Sequence, residues 1–482
     1  MEIIGRYKEK HALKQYVESD KSEFVAVYGR RRVGKTYLIK EFFRNSFSFY
    51  ISGMANATKE EQLENFNATL ITYGKRPYLR TRNWMESFRQ LIHLLQNSRK
   101  KGKKIIFIDE LPWFDTPRSG FMTGLEYFWN TWASSRNDIL LITCGSATSW
   151  MINKLLKNRG GLYNRVTRRM ALEPFNLAEC EAFLQYKKIV LSRKSIVESY
   201  MIFGGIPFYL NLFEKGLSLA QNVDKLCFAK NGELRDEFSI LYASLFKKPA
   251  NHELVIKTLA NKKTGLTRNE IIKETKLQGG GLTTILEELE QCHFIRSYNA
   301  YEKKTKEQIY QLVDFYSLFY ITFIKNARQN EEHFWTNLVS NAKHHTWTGY
   351  AFEQVCMQHA SQIRQKLGVS GVITYLAAWR SKKSKPAVQI DLLIDRKDGI
   401  INLCEMKYAE DKYIITKKID ENLRHKKSTF IREANVRKAV HITMVTTYGV
   451  KRNAYWGNIQ SEVKMDDLFR NLIVSSNPLR KL

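Results

Sequence analysis

The chain has 482 residues and a formal net charge of +29, from 77 lysines and arginines against 48 aspartates and glutamates. That length excludes a single compact core and predicts two to four domains; a composition that is 44% hydrophobic and 12% aromatic excludes a disordered chain. The positive excess favours a polyanionic partner, with nucleic acid first.

Six cysteines without paired spacing point away from a disulfide framework or a zinc site and fit a reducing cytoplasm. No run approaches the ~20 apolar residues of a spanning helix, and the opening MEIIGRYKEKHALKQYVES lacks the apolar centre of a leader. A soluble, cytoplasmic protein with no membrane partner is expected.

From residue 1 to about 170, helical and strand patterns alternate. An amphipathic helix is followed by the strand EFVAVYG, a helix from Lys35, the strand SFSFYIS and a helix around WMESFRQLIHLLQNS. The strand KKIIFIDE, the helix FMTGLEYFWNTWASS and the strand DILLITCGS complete the series. Continuous apolar strands spaced by helices predict a parallel sheet buried on both faces. Residues 171–246 read as mostly helical, with GGIPFYL as a break.

Residues 250–312 read as three helices, the third from about Leu282 to Gln291, then two short strands with a charged tip. That order is a winged helix-turn-helix. Its third helix carries Glu287, Glu288 and Glu290, and acid repels phosphate, so a packing or regulatory role is expected for this module, with DNA contact elsewhere or through the wing lysines Lys303, Lys304 and Lys306. The aromatic segment DFYSLFYITFI leads into a last α/β region from about 340.

Gly29, Arg30, Arg31, Arg32, Val33, Gly34, Lys35 and Thr36 spell G-x-x-x-x-G-K-T between a strand and a helix. This is the pattern of a P-loop: backbone N–H groups turn in around phosphate, Lys35 reaches the β and γ oxygens, and the Thr36 hydroxyl holds Mg²⁺. Tyr37 is counted with the loop, and the three arginines are expected to point outward around it. Asp109, ending a buried strand, would bind Mg²⁺ through water, and Glu110 would polarise the attacking water. Ser146 follows the next strand as a polar sensor of the γ-phosphate. Arg165, Arg168 and Arg169 are candidates for an arginine finger, in cis or from a neighbouring subunit, or for a basic face.

In their order, VYGRRRVGKT, IIFIDELPWF, CGSATSWM, LYNRVTRRMALEPF and GGIPFYL, followed by a winged helix, resemble the archaeal-type ATPases of the AAA and STAND superfamily. The resemblance covers nearly the whole chain and implies a nucleotide-dependent switch using ATP and Mg²⁺. Ser146 stands where many AAA ATPases have Asn, which implies slow turnover. Such proteins often end in a domain similar to the PD-(D/E)xK nucleases. Here Asp391, a turn at Asp398-Gly399, and Glu405 and Lys407 on one strand face fit that pattern, with Glu353 on the preceding helix. Two carboxylates there would hold Mg²⁺ against a phosphodiester while the lysine orients water.

The resulting expectation is an α/β chain of five parts: a P-loop ATPase core (1–170), a helical lid (171–249), a winged helix (250–315), a linker helix (316–339) and a nuclease-like domain (340–482). The expected catalytic groups are Lys35, Glu110, Asp391, Glu405 and Lys407; the expected metal ligands are Thr36, Asp109, Glu353, Asp391 and Glu405. DNA is the expected partner, and assembly into a homo-oligomer is left open. The alternative is an ATP-gated DNA-binding or scaffold protein whose tail cuts nothing.

Overall fold

The computed structural model describes residues 2–74, 80–157, 160–162, 164–298, 301, 308–327, 333–338, 341–381 and 383–471. The chain divides into two compact units, Met1–Pro174 and Phe175–Leu482.

The first unit is built on five strands: β1 (Glu23–Tyr28), β2 (Phe49–Ser52), β3 (Lys104–Asp109), β4 (Ile139–Gly145) and β5 (Arg168–Ala171). They form one parallel sheet in the order β2-β3-β4-β1-β5. Every residue of β3 and β4 is buried, which is why both read as unbroken apolar runs. The helix Trp84–Gln96 starts at Asn83, whose side chain accepts from the Glu86 N–H, while Glu86 accepts in return from the Arg82 N–H at 3.0 Å. It buries Trp84, Phe88, Leu91, Leu94 and Leu95 at helical spacing. Trp84 meets Phe121 edge-on at 4.9 Å between ring centroids, and Phe114 stacks on Phe121 at 5.0 Å, locking the helix Phe121–Phe128 over the sheet.

Three elements differ from expectation. The helix expected over 121–135 is α-helical only to Phe128 and continues as a π-helical turn, Trp129–Ala133. The helix Lys59–Gly74 is additional: its buried face includes Gln62 and Asn67 beside Leu63, Phe66 and Leu70, so the apolar period is interrupted. Strand β5 is also additional, because Met170 is its one buried residue and three exposed positions give no strand pattern.

The second unit begins with the helices Leu177–Tyr186 and Arg193–Phe203. Farther on, Pro249–Ala260, Arg268–Thr275 and Gly279–Gln291 are helices, and β6 (Leu266–Thr267), β7 (Ile295–Tyr298) and β8 (Ile309–Leu312) form a small antiparallel sheet in the order β6-β8-β7. The third helix takes in all three glycines and so starts before Leu282. Two of its acids serve the packing: Glu288 accepts from His252 Nε2 at 2.8 Å, and Glu290 accepts from the Ser297 N–H at 2.9 Å. Lys303, Lys304 and Lys306 lie outside the described residues. The aromatic segment forms Phe315–Phe319 and a π-helical turn, Tyr320–Ile324. Its Phe319 and Phe323 pack edge-on against Trp335 at 4.9 and 5.1 Å.

The tail holds β9 (Thr374–Arg380), β10 (Gln389–Arg396), β11 (Ile400–Lys407), β12 (Ala439–Thr446) and β13 (Ser461–Lys464). The sheet order is β13-β12-β11-β10-β9, antiparallel from β9 to β11 and parallel from β11 to β13. The helix Ala342–Gln358 precedes it, and the helix Lys417–Glu433 lies between β11 and β12.

Candidate functional site

Parallel register sets the first site. Tyr28 of β1 pairs with Gly145 of β4, and Ile108 of β3 pairs with Thr143, so the next residues, Asp109 and Cys144, stand side by side where the loop after β1 begins. Gly29 has φ +141°, and a Cβ there would lie 2.3 Å from the Leu172 carbonyl oxygen; Gly34 has φ +89°. Only glycine meets the demand at either end of the loop. Gly34 caps the helix Lys35–Phe42 without a side-chain bond, which leaves the first N–H groups facing the loop.

Lys35 is buried, and its Nζ donates to the carbonyls of Gly29 at 2.8 Å and Arg30 at 2.9 Å. The arginines do not all fan outward as expected. Arg31 and Arg32 are half-buried, but Arg30 is only 4% exposed, and its carbonyl is one of the two that accept from Lys35. Tyr37 is exposed, and its hydroxyl donates to the Glu2 carbonyl at 3.3 Å. Arg6, in left-handed backbone (φ 53°), donates to the Val33 carbonyl at 3.1 Å and to the Glu173 carbonyl at 2.7 Å.

Asp109 Oδ1 accepts from Thr36 Oγ1 at 3.1 Å, from the Glu110 N–H at 2.9 Å and from Cys144 Sγ at 2.6 Å. Burial pushes the Cys144 thiol well above its ordinary value, so it donates as a neutral S–H. Glu110 stands in left-handed backbone (φ 47°), and its Oε2 accepts from Ser146 Oγ at 2.9 Å and the Ser146 N–H at 3.2 Å. The structure thus joins Thr36, Asp109, Glu110 and Ser146 in one chain of contacts. Hydroxyl and carboxylate oxygens are the donors Mg²⁺ prefers, so Thr36 and Asp109 fit that ion.

The finger candidates separate. Arg168 lies on β5, with Nη2 on Glu23 Oε1 at 3.0 Å and its guanidinium 5.4 Å from the Tyr16 ring centroid, a structural pairing. Arg165 and Arg169 are exposed.

The second site lies in the tail. Leu392 pairs with Cys404, so continuing the register sets Asp391 opposite Glu405, and the β9–β10 register shifts between Ile390 and Leu393, bracketing Asp391. Asp391 Oδ1 accepts from Gln389 Nε2 at 2.5 Å. Glu405 Oε1 pairs with Lys407 Nζ at 2.8 Å and Oε2 with Lys426 Nζ at 2.8 Å.

Burial, then the nearby Asp391 charge, pushes the Glu353 carboxyl up to about 8. Burial also raises Asp391, against the Gln389 hydrogen bond. At Glu405 burial acts upward as well, but the Lys426 and Lys407 ammoniums outweigh it and hold the group below its ordinary range. The four expected residues therefore share one electrostatic neighbourhood. Among the described residues, however, no three His, Cys, Asp or Glu side chains are gathered so as to hold a metal ion as they stand. The oxygens are right in kind for Mg²⁺, but both of Glu405's already carry a lysine.

Sequence reasoning did not single out Cys144, Arg6 or Lys426. Cys144 is recoverable from adjacency of β3 and β4; Lys426 was visible only as part of the basic run DENLRHKKSTF.

Over 434 residues, 88% of this chain and 91% of the other, the sequence is 24% identical to an uncharacterized protein of Methanocaldococcus jannaschii. Among solved structures, it is similar to a Walker-type ATPase of Pyrococcus abyssi, at 18% identity and TM-score 0.48 over 66% of this chain and 96% of that one. It is also similar to the ORC2 protein of Aeropyrum pernix in its ADPNP–ADP complexes, at 14% identity and TM-score 0.42 over 67% and 94%. Residues 4–213 match the family described as an ATPase domain predominantly from Archaea, and by that match the chain carries an archaeal-type P-loop ATPase domain.

Proposed function

We propose that the chain is an ATP-operated switch: its P-loop domain binds and slowly hydrolyses ATP with Mg²⁺ and, through a winged-helix segment, controls a PD-(D/E)xK nuclease-like tail directed at DNA. The observation that carries this reading is the contact chain from Thr36 through Asp109 and Glu110 to Ser146 at the mouth of the glycine loop.

Lys35 exchanges its two carbonyl acceptors for β- and γ-phosphate oxygens, which makes its buried ammonium a preset anion ligand. Thr36 and Asp109 would hold Mg²⁺, which would neutralise charge on the phosphates. Glu110 orients the attacking water. Ser146 holds the same Glu110 oxygen with two donors, a restraint that supports slow turnover.

For the tail, the reading is supported by the preceding helix with Glu353, the irregular β10 presenting Asp391, and Glu405 and Lys407 on β11. Three helices, with β6 between the first and second and β7 and β8 after the third, support the winged helix. The charge of +29 supports a DNA partner. Six cysteines without paired spacing support a cytoplasmic location; among the described residues no helix is long and apolar enough to cross a membrane.

Two measurements test the scheme. In an ATP titration, Lys35→Ala is expected to weaken binding about 100-fold, the effect of losing a charged hydrogen-bonding partner; unchanged affinity would remove the foundation. Incubated with plasmid and Mg²⁺ or Mn²⁺ across nucleotide states, the wild type is expected to cut and Lys407→Ala to be inert while retaining ATP affinity. The two lysines on Glu405 favour a second reading, a tail that binds DNA without cutting it, and salt-sensitive binding with no cleavage by either protein would select it.

A further inference from the structure

A cavity of about 330 Å³ lies where three helical segments of the second unit meet: the end of Pro249–Ala260, the aromatic segment at Leu318 and Thr322, and the first turns of Ala342–Gln358. We propose that it binds a compact organic anion, a phosphate or carboxylate carried on an apolar ring. The site lies outside the ATP and DNA scheme above and does not depend on it.

Size and lining define the ligand. The volume sits at the lower end of the ~300–1,000 Å³ of small-molecule sites, which asks for a compact occupant. Trp347, Leu318 and Tyr350 are 3%, 4% and 7% exposed and give the cavity an apolar, largely aromatic floor. Lys263 and Lys343 are exposed residues and bring two ammoniums to its mouth, while the described lining holds no Asp or Glu. A ring fits the floor and an anionic group fits the mouth.

Both lysines are positioned by neutral groups. Lys343 Nζ donates to the Thr322 carbonyl at 2.8 Å and lies 5.0 Å from the Phe323 ring centroid. Lys263 Nζ donates to the Thr346 carbonyl at 3.1 Å and lies 5.4 Å from the Tyr350 ring centroid. An ammonium has three donors, so each lysine retains two for a ligand. With carbonyls rather than carboxylates as partners, their charge stays uncompensated, as it does at Lys35.

The remaining polar groups agree. Trp347 lines the cavity, and its buried indole N–H has no acceptor among the described residues, an arrangement that costs stability until an oxygen is supplied. The Tyr350 hydroxyl accepts from Gln311 Nε2 at 3.4 Å, which leaves its own proton to donate. Thr322 and Thr346 donate to the Leu318 and Ala342 carbonyls at 2.7 and 2.9 Å, so their oxygens can accept from a hydroxyl on the ligand's ring. Ala342, Lys343 and Thr346 belong to the first turns of a 17-residue helix, whose positive end adds to the preference for an anion.

The test uses the full chain and a fluorescent anion, anilinonaphthalene sulfonate, beside the uncharged phenylnaphthylamine. The wild type is expected to bind the sulfonate saturably, more tightly than the uncharged dye, and less tightly as salt rises. Lys343→Met and Lys263→Met are each expected to weaken the sulfonate about tenfold, the lower end of what a charged hydrogen bond contributes, and to leave the uncharged dye unchanged. Lys14→Met, which removes the same charge from an exposed helix position, is expected to match wild type. Phenyl phosphate and benzoate are then titrated as competitors, and the one that displaces the sulfonate at lower concentration tells a phosphate ligand from a carboxylate.

Equal affinity for the two dyes, or equal sulfonate affinity in wild type and both cavity variants, overturns the proposal. So does displacement by neither competitor, or a loss in Lys14→Met as large as in the cavity variants, which would show that the dye senses net charge alone. Lys343→Gln repeats the titrations should the methionine variant not fold.

Discussion

The glycine-loop site and the tail site use the same ingredients, lysines and carboxylates positioned by interior strands of a sheet, and arrange them oppositely. In the loop, Lys35 rests on backbone carbonyls, while Asp109 and Glu110 are satisfied by neutral donors from Thr36, Cys144, Ser146 and the chain itself. In the tail, the cations sit directly on the acid. A lysine held by carbonyls keeps its full charge for an incoming anion, whereas one paired to a carboxylate has spent most of it.

Several substitutions sharpen that contrast. The largest expected effect is at Glu110. Glu110→Gln removes the base and is expected to lower ATP turnover about 10²–10⁴-fold with ATP affinity retained; turnover within a few-fold of wild type breaks the assignment of Glu110 as water-orienting. Cys144→Ala removes one neutral donor from Asp109 Oδ1. About 0.5–1.5 kcal/mol is expected, read as weaker Mg²⁺-dependent ATP binding with little change in magnesium-free binding. An equal loss in both conditions would instead mean a packing defect.

The smallest effect comes from an acid that copies the tail's arrangement for structural ends alone. Just before β4, at the end of the first sheet away from the glycine loop, Asp138 accepts from Arg136 Nε at 2.7 Å and from Lys104 Nζ at 3.0 Å. Mainly through the Arg136 hydrogen bonds, and against its own desolvation, its carboxyl is lowered from 3.8 to about 2. A depressed carboxylate stabilises the fold above its unfolded value and loses that contribution as pH falls through the folded one. Asp138→Asn is therefore expected to cost about 1–2 kcal/mol at neutral pH, with the urea midpoints of variant and wild type converging between about pH 4 and pH 2. A gap that persists at pH 2 would show that the pairing is not its source.

The first unit was largely legible because its strands are buried on both faces: β1, β3 and β4 announce themselves as apolar runs, and the loop motif depends on residue types at fixed spacing. Its missing pieces, Lys59–Gly74 and β5, carry polar residues on buried positions or arginines on an edge, where burial leaves no periodic trace. In the tail, β10, β11 and the helix around Glu353 were readable, but β9, β12, β13 and the helix Lys417–Glu433 were not. That helix is charged along most of its length, buries only Asp420, Leu423, Thr429 and Phe430, and hides a lysine that pairs with Glu405. Side-chain identity was written in the sequence; which acceptor each lysine chose was not, because that choice depends on elements far apart in the chain.

Arg6 ties the glycine loop to the last residues of the first unit through two carbonyls, Val33 and Glu173. A chain trimmed to start at its first helix, Tyr7–Glu18, would keep every motif residue yet lose the brace between them. Expression boundaries for this domain therefore belong ahead of residue 6, and a tag fused at the helix start risks producing a folded protein with a slackened loop.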